Sequence, residues 1–327
     1  MPAPVTDRTV ADRSAYVARI NRVLDHISAH LAEPLDLQTL SDVAHFSPWH
    51  FHRVFQGMTG ETLADCVRRL RLEAAAQRLL NRPREPALNV ALDVGFASAE
   101  VFTRAFKSHF GVPPSAWRRG AWGEWVQQHR IALRKINQAD RKDHQAEVFE
   151  FRDHAVDRPT GPAQLDKGNI MQVEIKTFPA QKLAYMRYTG PFGPGVSKTW
   201  ERFGQWCGQH DLREPRRDMI GISRDNPEIT PADKLRYDCC IAVDASFKPE
   251  GEVGVQNFAG GKYACAPFEG TGADMHGAWM NMYGQWLPQS GWQADDKPPF
   301  ELYGQDFEMD PKTGVFNCLL CVPVRPM

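Results

Sequence analysis

Asp42-Val43-Ala44-His45-Phe46-Ser47 leads into a helical stretch ending Arg53-Val54-Phe55. Fifty-one residues later, Asp93-Val94-Gly95-Phe96-Ala97-Ser98 leads into another, ending Arg104-Ala105-Phe106. Each copy reads as a short helix, a tight turn with a small residue, and a second helix opened by a serine N-cap. That is helix-turn-helix grammar, in which the second helix enters the DNA major groove. Two copies in one chain place two reading helices on one face of DNA with no need for dimerisation.

In the first reading helix, Phe51, Val54, Phe55 and Met58 recur at helical spacing and predict the buried stripe. Trp49, His52, Arg53 and Gln56 take the opposite face. Ser47 caps this helix, and Pro48 sits in the first turn, where its missing N–H costs nothing. In the second reading helix Phe102, Ala105, Phe106 and Phe110 form the core stripe, leaving Glu100, Thr103, Arg104 and Lys107 outside. The outer face of a single helix is commonly no more than a solvated surface. The duplicated turn, and a tryptophan spent on an exposed face, point instead to contact. Arg104 suits a guanine or a phosphate, and the sequence leaves both open. Glu100 suits a cytosine amino group or a place off the DNA.

Around these motifs the chain is helical up to residue 120. Ile20, Val23, Leu24, Ile27 and Leu31 mark an amphipathic helix over 16–32. A long helix from Thr62 to Leu80 carries Arg68, Arg69, Arg71 and Arg78, and Asn81-Arg82-Pro83-Arg84-Glu85-Pro86 stops it. Pro113-Pro114 opens a last short helix through Trp117. The formal net charge is −1, but it is unevenly spread: residues 1–125 carry a net +2 and residues 170–327 a net −4. All the basic residues of the N-terminal part except Lys107 are arginines, which suit bidentate phosphate and guanine contacts.

At 327 residues the chain exceeds one ordinary core. The expected division is a flexible N-terminus over 1–15, an all-α domain over 16–120, a linker with local structure over 121–169, and an α+β domain over 170–327. The start lacks the apolar stretch of a secretory signal, and no run approaches the roughly 20 apolar residues of a membrane span. Seven cysteines in apolar surroundings fit reduced thiols in the cytoplasm. Cys318 and Cys321 form a CxxC, but on a strand residues three apart point to opposite faces, so no metal is expected there. No cofactor is expected either.

From Met171 a second repeat appears. Phe203-Gly204-Gln205-Trp206 returns 80 residues later as Tyr283-Gly284-Gln285-Trp286, and Lys182 and Gly190 return as Lys262 and Gly270. Tyr237-Asp238-Cys239 returns as Phe316-Asn317-Cys318 at an offset of 79. Each half reads strand, helix, strand, strand: about 181–189, 195–210, 218–224 and 235–244, then 261–269, 274–289, 299–308 and 314–324. Two βαββ units across a pseudo-twofold axis predict an antiparallel sheet carrying two helices, with a ligand groove between the halves. Glu301 stands among apolar neighbours and shares a strand face with Pro299 and Tyr303. A carboxylate in an aromatic groove suits a cationic or hydrogen-bonding ligand. Tyr185, Tyr188, Trp200, Trp279 and Tyr303 are the expected walls, whereas Trp206 and Trp286 recur symmetrically and read as core.

Residues 16–119 resemble the AraC/XylS-type DNA-binding domain. The resemblance rests on the Gly95-Phe96 turn, Phe106…Phe110-Gly111…Pro113-Pro114 and Trp117-Arg118-Arg119. It implies seven helices, two half-motifs reading successive major-groove segments, and base contacts at Trp49, His52, Arg53, Glu100, Val101 and Arg104. Glu100 and Val101 depart from the more polar residues common there. Residues 170–327 resemble the GyrI-like effector-binding fold, also found in multidrug-sensing activators, through the duplicated βαββ pattern, Tyr188-Thr189-Gly190-Pro191-Phe192 and Pro299-Phe300-Glu301-Leu302-Tyr303. That resemblance makes Glu301 the ligand-binding acid. The leading reading is a transcription regulator with double-stranded DNA, a small amphipathic or cationic effector and RNA polymerase as partners. The alternatives are a small-molecule hydrolase using Glu301 and fused to a DNA-binding domain, and an architectural DNA binder.

Overall fold

The computed structural model describes residues 7–129, 172–212 and 217–327. Its N-terminal half is helical: α1 (Asp7–Ala29), α2 (Leu37–Ala44), α3 (Pro48–Thr59), α4 (Leu63–Asn81), α5 (Ala87–Asp93) and α6 (Ala99–Phe110). A seventh helix, α7, opens at Pro114 and runs to a kink at Gly120, whose φ is +114°, and a further helical stretch continues to residue 129. Residues 7–15, expected within a flexible N-terminus, are the first turns of α1. The remainder of the expected linker, 130–169, lies outside the described residues.

Helix α4 joins two cores. Its first turns (Leu63, Cys66, Val67, Leu70) pack with Ile20, Val23, Leu40, Phe51 and Phe55. Its last turns (Leu72, Ala75, Ala76, Leu79) pack with Val90, Phe102, Phe106, Phe110 and Trp117. The Trp117 indole also donates to the Ala76 carbonyl at 3.2 Å. Truncating one of these buried phenylalanines to alanine removes about 3–5 kcal/mol. Met58 is absent from the buried stripe. It is 40% exposed because Phe51 and Phe55 already close that core.

Local chemistry sets the helix ends. Thr62 accepts from the Asp65 amide at 3.2 Å and Ser98 from the Val101 amide at 3.3 Å. Ser47 stands at the N-cap of α3 without a side-chain cap bond. Its carbonyl serves the His50 and Phe51 amides instead, and Pro48 leaves one orphan donor fewer. The two turns also differ. Gly95 has φ +86°, and a Cβ there would meet the Leu31 carbonyl at 2.1 Å. In the first motif the left-handed residue is His45, one position later, with φ +53°.

The C-terminal half is an antiparallel sheet of β1 (Glu174–Phe178), β2 (Gln181–Thr189), β3 (Met219–Ser223), β4 (Arg236–Ala242), β5 (Gly254–Phe258), β6 (Gly261–Gly270), β7 (Trp292–Ala294), β8 (Phe300–Tyr303) and β9 (Phe316–Pro326). Helix α8 (Pro194–Gln209) belongs to the first half, and α9 (Met275–Asn281, continuing to Gln289) to the second. The strand order β1-β6-β9-β8-β3-β4-β2-β5 is symmetric about the β3–β8 pair, and β7 pairs with β9. The repeat is one strand longer than the sequence pattern predicts. β1 and β5 are themselves 80 residues apart, and each pairs with the first strand of the other half. That exchange hides them from a unit-by-unit reading. Strand β8 stops at Tyr303, short of the predicted 308.

The sheet has two differently used faces. Ala184, Met186, Tyr237, Cys239 and Ile241 pack on α8, with Trp206 partly buried beside them, and Trp286 takes the matching place near α9. Leu183, Tyr185, Ile220, Ile222 and Cys240 lie on the opposite face. That face meets α1. Arg187 donates to Asp25 at 2.8 Å and to both oxygens of Asp238 at 2.7 and 2.8 Å. Arg236 reaches Ser28 at 3.1 Å. Burial opposes ionisation of Asp25, but the Arg187 and Arg224 guanidiniums hold its carboxyl below the usual range. Cys318 and Cys321 point to opposite faces of β9, and the Cys321 sulfur lies 3.4 Å from that of Cys265 on β6.

Candidate functional site

On α3, Trp49, His52, Arg53 and Gln56 are all exposed, Trp49 by 87%. On α6, Glu100, Val101, Thr103, Arg104 and Lys107 are all exposed as well. The two outer faces differ in chemistry. The face of α3 offers an indole, an imidazole, a guanidinium and an amide; that of α6 begins with a carboxylate and an apolar side chain. The Ser98 hydroxyl and its own backbone N–H hold the Glu100 carboxyl below its usual value. Glu100 thereby serves the N-terminus of α6, where a negative charge complements the helix dipole.

The second site lies on the helix side of the sheet. Glu301 is 3% exposed. The Tyr237 hydroxyl donates to its Oε2 at 2.6 Å and stands 3.5 Å from the Tyr303 hydroxyl. Trp279 supplies a second side-chain hydrogen bond. Burial pushes the Glu301 carboxyl up to about 7, and these donors offset that only partly. Burial raises the Tyr237 and Tyr303 hydroxyls well above their ordinary value too. The Trp200 ring packs edge-on to Tyr303 at 5.2 Å and to Tyr237 at 6.3 Å, and Phe192 meets Tyr237 at 5.9 Å.

Tyr237 reaches Glu301 from two strands away, across β3. Gly221 makes this possible. It pairs with Glu301 in register, and a Cβ there would meet the Tyr237 hydroxyl at 1.8 Å and Glu301 Oε2 at 2.5 Å. Gly221 is also the counterpart of Glu301 in the 80-residue repeat. The axis of the domain therefore holds one acid facing one glycine.

Of the expected walls, the structure brings Trp200, Trp279 and Tyr303 to the cleft around Glu301. Tyr185 is elsewhere. It lies on the opposite face of the sheet, its hydroxyl donates to Asp25 of α1, and its ring packs with Leu183 and Cys240. Tyr188 also does not line the cleft. Its hydroxyl donates to the Pro191 carbonyl at 2.9 Å, and its ring fills the space beside Gly190 and Gly195. Strand parity carries a warning here, because residues three apart cannot share a face. Sequence reasoning missed Tyr237 and Gly221. The signal for Gly221 was available, in the residue 80 positions before the acid. The cleft, about 3580 Å³, runs on from Glu301 to Glu73, Gln77 and Arg82 of the helical half.

Comparison with known proteins agrees with both halves. Residues 40–120 match a family model described as a helix-turn-helix domain, and residues 171–325 match one described as a GyrI-like small molecule binding domain. The multiple antibiotic resistance protein MarA of Escherichia coli (strain K12) is 36% identical over 106 residues, covering 32% of this chain and 83% of MarA. The DNA gyrase inhibitor of Edwardsiella ictaluri is 33% identical over 159 residues, covering 47% of this chain and 99% of the inhibitor. That of Klebsiella pneumoniae (strain 342) is 31% identical over 158 residues, covering 47% and 98%. Among the described residues no helix is long and apolar enough to cross a membrane. The chain belongs to the AraC-type helix-turn-helix DNA-binding regulators and carries a GyrI-like small-molecule-binding domain behind its DNA-binding domain.

Proposed function

We propose that this regulator answers to a lipophilic cation seated over Glu301, between Trp200, Trp279, Tyr237 and Tyr303, and that it reads DNA through the outer faces of α3 and α6. One observation carries the effector class. Glu301 is a buried carboxylate held by hydroxyl and indole donors, and among the described residues no basic side chain is one of the groups that act on it. A bound cation supplies the missing countercharge, and the surrounding rings add cation–π contact. In this reading Trp49, His52, Arg53, Gln56, Thr103, Arg104 and Lys107 contact the duplex, with Glu100 and Val101 at its margin. Residues 16–120 and 170–327 are the working units. The protein acts in the cytoplasm, contacts RNA polymerase when it regulates, and performs no chemistry on its effector.

The test is calorimetry on the full chain with tetraphenylphosphonium, a permanent lipophilic cation. Glu301→Gln keeps the shape but removes the charge. It is expected to cost about 2–5 kcal/mol of affinity while the melting temperature holds or rises. Equal affinity for wild type and variant sinks the assignment. A hydrolase reading draws on one observation, that a carboxyl near 7 beside a tyrosine hydroxyl can serve as a general acid–base pair. Effector candidates recovered after incubation with one added water, and only with wild-type Glu301, would establish it.

A further inference from the structure

The loop between β3 and β4, residues 224–235, is tied to its own sheet at its ends, where Arg224 donates to Gln256 and Asp225 pairs with Arg236, and between them it reaches into the DNA-binding domain. Ile229 is 2% exposed and is part of the second helix-turn-helix core, with Leu72, Leu79, Val90 and Phe102. Asn226 donates to the Gln77 side chain of α4 at 2.7 Å, and Thr230 hydrogen-bonds Glu73 one turn earlier on that helix. At the other end of the loop, Lys234 donates to the Thr59 carbonyl at 2.6 Å. Thr59 is the last residue of α3, where a cation complements the free carbonyls of the helix end. One loop thus holds both half-motifs, the first at the end of its reading helix and the second through its core.

The half-motifs need such a hold. Their cores are separate and share α4, a helix of 19 residues, and helices of that length bend. Two reading helices must enter successive major-groove segments about 34 Å apart, so a small change of angle between them costs one set of base contacts. We propose that the 224–235 loop straps the two half-motifs together and sets the spacing of α3 and α6, making Ile229 and Lys234 positioning residues for DNA recognition. The loop runs through Arg236, bonded to Ser28 of α1, directly into Tyr237, which holds Glu301. Only the trigger of the strap rests on the effector reading; its role in DNA recognition stands on its own contacts.

The experiment uses the full chain and a duplex obtained by in vitro selection with it. Affinity is measured on that duplex, on the same duplex with one base pair inserted between the half-sites, and on one with the second half-site randomised. Wild type is expected to bind the inserted duplex more weakly by roughly the tenfold or more that losing one base contact implies. Lys234→Ala and Ile229→Ala are expected to erase most of that preference while changing affinity for the single half-site less than about twofold, because distant sites act independently. Lys234→Arg, which keeps the donor, is expected to restore it. A merely structural role scales affinity on all three duplexes together. A spacing preference that survives in Lys234→Ala, or one that is absent from the wild type, overturns the proposal. The Lys234 pair decides it even where Ile229→Ala fails to fold.

Discussion

The two duplications in this chain diverge in opposite places. In the helical half the copies keep the same inside, with Phe51 and Phe55 answered by Phe102 and Phe106, all fully buried. They differ outside, where Trp49, His50 and His52 stand against Glu100, Val101 and Thr103, although Arg53 and Arg104 agree. In the sheet half the copies differ inside, at the axis itself, where Gly221 faces Glu301. The lesson is steric. Two half-motifs laid side by side present separate surfaces to solvent and can change them independently. Two half-sheets joined across a twofold axis compete for the same volume at that axis, so only one copy can keep a side chain there.

The hardest blow to this contrast is Gly221→Ala. The added Cβ collides with the Tyr237 hydroxyl. The expected outcome is about 1–3 kcal/mol of lost stability from overpacking, together with loss of tetraphenylphosphonium binding, read by thermal melting and calorimetry on the same sample. Retained binding would show that the axis has room for both copies and that the Tyr237–Glu301 bond does not shape the site.

The contrast between the reading helices is tested by Arg53→Ala. If Arg53 reads a base bidentately, the variant loses roughly 1–3 kcal/mol on the selected duplex and less on random DNA. Equal losses on both reduce Arg53 to a phosphate contact and make the two outer faces more alike than their sequences suggest.

The smallest effect is one of pH. The folded-state pKa of Glu301, about 7, is raised above its ordinary value, so the folded chain holds this proton more tightly than the unfolded chain does. The empty protein therefore loses stability as pH rises from the ordinary carboxylate range through 7, and Glu301→Gln escapes that loss. A cation favours the ionised form, so its affinity climbs over the same window. Binding about tenfold tighter at pH 8 than at pH 6 is the expected result, flat in Glu301→Gln. A flat profile in the wild type places the cation away from the acid.

The helix-turn-helix half could be read because its signals are local. Ser98 and Thr62 cap helices that begin next to them, and Phe102 and Phe106 lie one turn apart on a helix whose period is known. Glu301 could be read because a carboxylate between apolar strand neighbours is costly unless it has a use. Tyr185 was misplaced because sequence distance to a groove says nothing about which face of a strand a side chain takes. Tyr237 was missed because it arrives from two strands away over a glycine.

The sequence by itself determined the helical repeat, the presence of a second repeat, and the single acid at its centre. Tertiary structure alone decided the rest. It exchanged β1 and β5 between the halves, turned Tyr185 and Arg187 toward Asp25, and carried Ile229 out of its own domain into the core of the other. Helix caps and periodicities act within a few residues and leave their mark in the chain. Strand order, face and domain docking are set by non-local burial, which one chain records only as scattered apolar and paired polar residues whose partners the sequence does not name.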